Sequence, residues 1–362
     1  MTRIVFASCM SVEADSKQPV WKEAAAHQPD WLILCGDNIY MDYFPHLYQS
    51  KKWDPVRFAA EMHVRYARQF AVPAFQALVK SIPANQVLGV WDDHDFAWNN
   101  CFGADPGFGM PIKKRIATAM YHHYFAVLNQ RPLPPVLPDL IIPDPDNPPS
   151  GDRDVYLATT IGPLRVLLCD GRSYREDNSS GNETASLLGV AQERWLLDEL
   201  ARSSGPILLI TGSTMTKGDD QSWDSYQEFF MKRFLPAVRG KTVMFLAGDV
   251  HENRLPPKTH DWPVEIVSSA AVLDFPFNKR NFGVLEIADA EAEIFLYKRG
   301  AIEYTGKIDF GSGLFKTTMS ALAEDNISTL SIEHAQIQRR NEPQERNPQG
   351  LPFRARGELD LR

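Results

Sequence analysis

An α/β fold is what this sequence of 362 residues predicts, on three observations. Short apolar runs alternate with longer segments of helical spacing, the order expected when strands and helices are interleaved. The apolar runs are nearly continuous, as in strands buried on both faces. The composition, 44% hydrophobic and 23% charged, excludes a disordered or fibrous chain and suffices for a large core without disulfide staples.

Taken in order, Arg3 to Ala7, Trp31 to Cys35 and Gln86 to Val90 read as strands. Lys17 to Gln28 and Asp54 to Lys80 between them carry helical spacing and few breakers. Residues 131 to 150 hold eight of the 26 prolines, which excludes a regular element and predicts a long loop or rim insertion. Val155 to Ile161 and Leu164 to Cys169 predict a hairpin around Gly162-Pro163. Further strands are expected at Pro206 to Ile210, Thr242 to Ala247, Val264 to Ser268, Val284 to Ile287 and Glu293 to Tyr297. Helices are expected at Val190 to Arg202 and Trp223 to Phe234. From about Phe315 the chain turns polar. Length alone allows two domains, but the pattern predicts one catalytic domain over 1–315 and a tail over 316–362. That tail includes a short helix near Ser320 to Glu324 and a loose or docking stretch from Arg339 to Arg362.

With 46 acidic and 38 basic side chains the formal charge is −8, which argues against a dedicated binder of nucleic acid or anionic membranes. A phosphate-bearing ligand would need a local source of positive charge. The cysteines Cys9, Cys35, Cys101 and Cys169 are far apart and show no paired spacing. Cys35 and Cys169 end apolar runs and read as buried strand residues. No apolar run reaches the roughly 18 residues of a membrane span, and the N-terminal one is too short for a signal peptide. The expected location is therefore the cytoplasm, with a removed leader still compatible. The oligomeric state is not encoded in any pattern.

The chemistry gathers where strands stop. Four apolar segments end in metal-capable side chains: Ser8-Cys9, Gly36-Asp37-Asn38-Ile39-Tyr40, Trp91-Asp92-Asp93-His94-Asp95 and Gly248-Asp249-Val250-His251. Carboxyl ends of strands are where α/β sheets bind ligands. A Gly-Asp pair alone is most often a turn, and Cys9 alone would be a core residue. Adjacent carboxylates such as Asp92 and Asp93 repel unless a cation relieves them. Four such ends together predict a metal site. His122 and His123 lie in the aromatic helical stretch Tyr121 to Phe125 and read as packing residues. His27, His46, His63, His260 and His334 have no donor-rich neighbourhood. Trp223 and Tyr226 fit either a pocket wall or the core.

These motifs, with Asp170-Gly171-Arg172-Ser173-Tyr174-Arg175, Leu188 to Gln192 with Trp195, and Ser222 to Tyr226, resemble the alkaline phosphatase D (PhoD-like) family of metallophosphatases. The ordered set spans most of residues 3 to 290. The resemblance implies the four-layer α/β/β/α sandwich of calcineurin-like phosphoesterases, built from two mixed sheets flanked by helices. It implies a ferric ion held partly by tyrosine, with companion divalent ions, calcium first and manganese or magnesium as alternatives. The sequence starts at the first catalytic strand, so the accessory N-terminal β-domain of longer members is expected to be absent.

Roles follow by motif. Asp37 is expected to bridge two metals, with Cys9, Tyr40 and His251 completing an iron site, since thiolate and phenolate are strong anionic donors. Asp93 and Asp249 are expected to hold the harder cation through oxygen. Asn99 or Asn100 is expected to offer an amide oxygen to the site or its substrate, and Asp170 to bind a further ion. The implied activity is phosphoester hydrolysis by hydroxide generated at the ions and placed for in-line attack on phosphorus. His94 is the expected general acid, Arg172 the phosphoryl clamp, and Arg175 either its helper on substrate or the partner of a nearby carboxylate. The expected partner is a small phosphoester. A phosphodiesterase of phospholipase D-like or nucleotide-diester type is the alternative to a monoesterase. A metal-dependent amidase and a metal-binding scaffold without turnover are the rivals further off.

Overall fold

The computed structural model describes residues 1–43, 49–107, 109–131, 154–178, 182, 184–216, 221–258, 262–273 and 279–320. His46, His260, His334, the proline-rich segment beyond Arg131 and the tail beyond Ser320 lie outside the described residues. No helix among the described residues is long and apolar enough to cross a membrane.

The strands form two mixed sheets. They are β1 (Thr2–Ala7), β2 (Trp31–Cys35), β3 (Val87–Val90), β4 (Leu157–Ile161), β5 (Leu164–Leu168), β6 (Ile207–Ile210), β7 (Val243–Ala247), β8 (Asn253–Arg254), β9 (Val264–Ser268), β10 (Asn281–Ile287), β11 (Glu291–Lys298), β12 (Ala301–Asp309) and β13 (Phe315–Met319). The first sheet runs β13-β12-β11-β10-β1-β2-β3 and the second β4-β5-β6-β7-β9-β8. β1, β2 and β3 are parallel, as are β5, β6, β7 and β9.

Alternation within each central strand builds the layers, because successive side chains leave opposite faces. Ile4, Phe6, Ile33, Cys35 and Val90 meet Val166, Leu168, Leu208, Ile210, Met244, Leu246 and Ile266 between the sheets. Val5, Ala7, Leu32 and Leu34 turn outward to α1 (Val20–Ala25), α2 (Pro55–Phe70), α3 (Pro73–Ser81) and α5 (Met110–Leu128). Leu167, Leu209, Phe245 and Val267 pack instead on α6 (Gly189–Arg202) and on the aromatic run from Trp223 to Phe234. A short helix, α4 (Asp93–Phe96), follows β3. The result is the four-layer α/β/β/α sandwich, so the expected fold class holds.

Several elements differ from expectation for local reasons. The segment predicted as helix from Asp54 to Lys80 is two helices. Asp54 caps α2 by accepting the Arg57 N–H at 3.0 Å, and Pro73, which has no N–H to donate, ends that run and opens α3. The helix expected from Lys17 to Gln28 shrinks to α1. Trp223 to Phe234 is not one helix but a 3₁₀ turn Trp223–Ser225, an α turn Gln227–Phe229 and a π segment Phe230–Phe234. Within it Trp223 is fully buried against Phe229, Phe234 and Phe245, so it belongs to the core. Sequence reading misses most of α5 and all of β12 and β13. The strand β13 crosses the boundary expected at 315, and the compact unit continues to Ser320.

The sheets leave little slack. Gly283 on β10 faces Phe6 on β1, and a Cβ there would lie 2.0 Å from the fully buried Phe6 ring. Gly283→Ala is therefore expected to cost about 1–3 kcal/mol by overpacking. Thermal unfolding checks this; a midpoint equal to that of the parent protein would contradict the contact.

Candidate metal centre

Seven parallel strands end at one edge of the sandwich, and each hands over to a short loop carrying polar side chains. Cys9 follows β1, Asp37 and Tyr40 follow β2, and Asp92 to Asp95 follow β3. From the second sheet come Asp170 and Arg172 after β5, Ser213 after β6, Asp249 and His251 after β7, and Ser269 after β9. The two sets of loops are pinned together. Ser8 Oγ donates to the Ser268 carbonyl at 3.2 Å, and Trp91 Nε1 donates to Asp170 Oδ1 at 2.7 Å.

The backbone here is forced. Cys9, Asp37, Asn100, Asp249 and His251 take φ values of 59°, 52°, 60°, 72° and 54°. Non-glycine residues avoid this left-handed region, at about 1–3 kcal/mol each, and persist there where the surroundings dictate it. Gly36 shares the conformation with φ of 90°. Gly248 does not; it is needed for closeness, since a Cβ on it would lie 2.4 Å from the Cys35 carbonyl oxygen.

Among the described residues three groups of metal-capable donors result, each with its atoms within 4.8 Å of one another. They are Cys9, Asp37 and His251; Asp37, Asp93 and His94; and Asp92, Asp93 and Asp249. Asp37 belongs to two of them and Asp93 to two. Tyr40 joins the first, donating from Oη to Asp37 Oδ2 at 3.0 Å and lying 3.2 Å from His251 Nε2. The expected ligands Cys9, Asp37, Tyr40, Asp93, Asp249 and His251 are thus brought together.

Without a cation the donor set is electrostatically ill at ease. Burial, then Cys9, Asp93 and Asp92, push the Asp37 carboxyl well above the usual carboxylate range. Burial and the charge of Asp37 push the Tyr40 phenol well up, and burial raises the Cys9 thiol. Asp92 Oδ2 is buried with no hydrogen-bond partner. A cluster of anionic donors that burial drives toward protonation, with an orphaned carboxylate oxygen among them, is the chemistry that bound cations relieve. The residues fit two metal ions.

His94 is differently placed. Its Nδ1 lies 2.6 Å from Asp42 Oδ1 and its ring sits 4.3 Å from that of Tyr40. Burial opposes its charge, yet Asp93, Asp37 and Asp42 outweigh burial and raise its pKa well above the usual range. Asp93 itself is held down to about 2, because Arg172, His94 and the Asn100 N–H overcome its burial. His94 keeps 17% side-chain exposure, whereas Arg172 keeps 1%.

Other expectations land elsewhere. Asp170 does not join a metal group among the described residues. Its Oδ1 accepts from Trp91 Nε1 and from the N–H groups of Arg172 and Ser173 at 2.7, 3.0 and 2.9 Å, so it shapes the loop. Asn99 is exposed, and its N–H donates to Asp42 Oδ2 at 2.8 Å. Arg175 is 1% exposed and lies 5.7 Å over Tyr226, whose hydroxyl donates to the Glu176 carbonyl. His27 packs on Phe282 and Tyr297, His63 lies 2.7 Å from the Tyr124 hydroxyl, and His123 is buried; none of them joins a metal group among the described residues.

A family model described as PhoD-like phosphatase matches residues 4–271. The chain belongs to the PhoD-like phosphatase family. Alkaline phosphatase D of Bacillus subtilis (strain 168) is 27% identical over 283 residues, covering 68% of this chain and 45% of that protein. The chain therefore spans less than half the length of that relative. A dimetal phosphatase from Danio rerio has a similar fold, with a TM-score of 0.52 at 12% identity over 88% of this chain and 98% of that one.

In this PhoD-like chain sequence reasoning misses four contributors. Asp42 lies two residues past the Gly36-to-Tyr40 motif and would have been found by reading that motif further. Ser269 Oγ accepts the His251 N–H at 3.0 Å and lies 3.0 Å from Cys9 Sγ, yet the Ser268-Ser269-Ala270-Ala271 stretch that ends β9 and leaves it has no charged side chain to signal it. Gln221 and Ser213 hold arginines and have no sequence signature.

The raised groups set a pH dependence. Asp95, buried, is pushed up to about 7, in the same direction as Asp37 and His94. Groups that bind protons more tightly when folded make stability fall as pH rises. The carboxylates act above about pH 4 and His94 above about pH 6.5, while Asp93 titrates below this window. Metal-free protein is thus expected to unfold at lower urea at about pH 8 than at about pH 5.5, with added divalent ion flattening the difference. A metal-free protein more stable at the higher pH would contradict these directions.

Proposed function

We propose that the chain is a metal-dependent phosphoester hydrolase with a mixed-metal centre. The observation that carries the reading is Asp37, one carboxylate common to the sulfur-bearing group of Cys9 and His251 and to the group of Asp93 and His94, with Asp93 shared in turn with the all-carboxylate group of Asp92 and Asp249. Cys9, Tyr40, His251 and Asp37 suit ferric iron, and Asp37, Asp93 and Asp249 suit calcium, with manganese or magnesium as alternatives. Asp92 is a further candidate for the second ion through its unpartnered Oδ2. Such cations, when bound, supply a nucleophile at neutral pH and neutralise charge on a phosphoryl group.

The chain's own residues do the rest. Asp42 holds His94 at Nδ1, leaving Nε2 to give its proton to a departing alkoxide. Of the carboxylates facing His94, Asp42 is the one outside the proposed ligand set, so it stays available to hold the ring when the metals are bound. His94 is also the least buried member of its donor group, as contact with substrate requires. A poised and reachable acid favours an enzyme over a scaffold without turnover.

The test is metal analysis of the purified protein together with assays on a phosphomonoester and a phosphodiester. Iron plus a divalent ion, a visible charge-transfer band that Tyr40→Phe shifts or abolishes, and release from both substrates are expected. A colourless, iron-free protein with full activity would sink the iron assignment. His94→Ala is expected to lose roughly 10²–10⁴ in turnover while keeping its metals. Loss of metal in that variant would make His94 a ligand, and unchanged turnover would remove it as the acid.

A further inference from the structure

We infer that Arg172 is a positioning residue for the second-ion carboxylates Asp92 and Asp93, and that it does not bind the phosphoryl group. The inference rests on the proposed metal centre and assigns within it a role opposite to the clamp that the motif implies.

A guanidinium has five N–H donors in a rigid plane, and a phosphoryl clamp needs at least two of them open. In Arg172 every nitrogen is engaged within the protein. Nε donates to Asp92 Oδ1 at 2.5 Å. Nη1 donates to Gln221 Oε1 at 2.8 Å and, at the long distance of 3.5 Å, to the Cys101 carbonyl. Nη2 donates to Ser213 Oγ at 3.3 Å and lies at ion-pair distance, 3.8 Å, from Asp93 Oδ1. Its main chain is also tied, the N–H to Asp170 Oδ1 at 3.0 Å and the carbonyl to the Gly103 N–H at 2.8 Å. At 1% exposure no face is left for a ligand.

Asp92 and Asp93 are adjacent, buried and both members of the oxygen-rich group. With Asp92 Oδ1 occupied by Arg172 and Ser213, Oδ2 is the oxygen left over for an ion. Gly212 confines the same carboxyl, since a Cβ there would lie 2.5 Å from its carbon. Arg175 braces the arrangement from behind. Its Nη1 shares Gln221 Oε1 and its Nη2 shares Ser213 Oγ with Arg172, at 2.8 Å each. Partners that orient metal ligands typically carry 10- to 100-fold in affinity.

Arg172→Lys keeps the charge and loses the fork. Binding of Mn²⁺ to the iron-loaded protein is read by titration, alongside the iron band, KM and kcat. The expected result is Mn²⁺ bound about 10- to 100-fold more weakly with the iron band unchanged, and KM near that of the parent once Mn²⁺ is saturating. Unchanged Mn²⁺ affinity with a raised KM and weakened inhibition by inorganic phosphate would overturn the proposal and restore the clamp. If Arg172→Lys fails to fold, Gln221→Met keeps both arginines but frees the outer edge of Arg172. In that variant weakened Mn²⁺ binding at unchanged KM supports positioning, and unchanged Mn²⁺ binding with a raised KM overturns it. A parent protein that binds no Mn²⁺, Ca²⁺ or Mg²⁺ would instead bring down the metal centre itself, a failure visible before any variant is made.

Discussion

Buried like charge is the constraint on which the rest of this structure depends. Asp37, Asp92, Asp93 and Asp95 are each at most 2% exposed, and Cys9 and Tyr40 are buried beside them. Out of water, neighbouring carboxylates repel strongly unless protons, cationic side chains or metal ions intervene. Arg172 answers for Asp92 and Asp93, and the Asn38 amide and the Asp92 N–H answer for Asp95. Asp37 accepts from the Tyr40 hydroxyl and faces His94, yet burial and its anionic neighbours still drive its pKa upward. The centre is built to be completed by cations.

That requirement explains the geometry around it. Packing two sheets face to face brings the carboxyl ends of two parallel strand sets to one edge, so donors separated by more than 200 residues meet within one hydrogen-bonding distance, as Tyr40 and His251 do. Rigid strands locate the loops, and the loops then absorb the mismatch as left-handed backbone at Cys9, Asp37, Asp249 and His251. The energy held in those conformations is recovered only if the donors do something together.

Much of this was legible from residues alone. Strand ends followed by Cys, Asp, Tyr and His told where the centre lies, because uninterrupted apolar runs such as Leu32 to Cys35 mark buried strands. The four-layer order followed from the family likeness, and the packing alternation of Ile4, Phe6 and Val5, Ala7 now supplies its cause. What escaped was neutral or remote. Ser269 and Gln221 act by hydrogen bonds that leave no charge pattern. The strand β12 has a half-exposed run without a clean period, and Pro73 splits a helix whose spacing continues across it. Arg172 was visible as a residue but not in its surroundings. A motif gives a side chain its chemistry, and only the fold shows whether its donors are free.

The most direct test of the central claim is anomalous diffraction from crystals of the metal-loaded protein, collected on either side of the iron edge. Two peaks are predicted. One, with an iron edge, is within bonding distance of Cys9 Sγ, Tyr40 Oη, His251 Nε2 and Asp37. The other, without it, is held by Asp37, Asp93 and Asp249. Metal density elsewhere, or a single ion that leaves Asp37 unshared, would contradict the account.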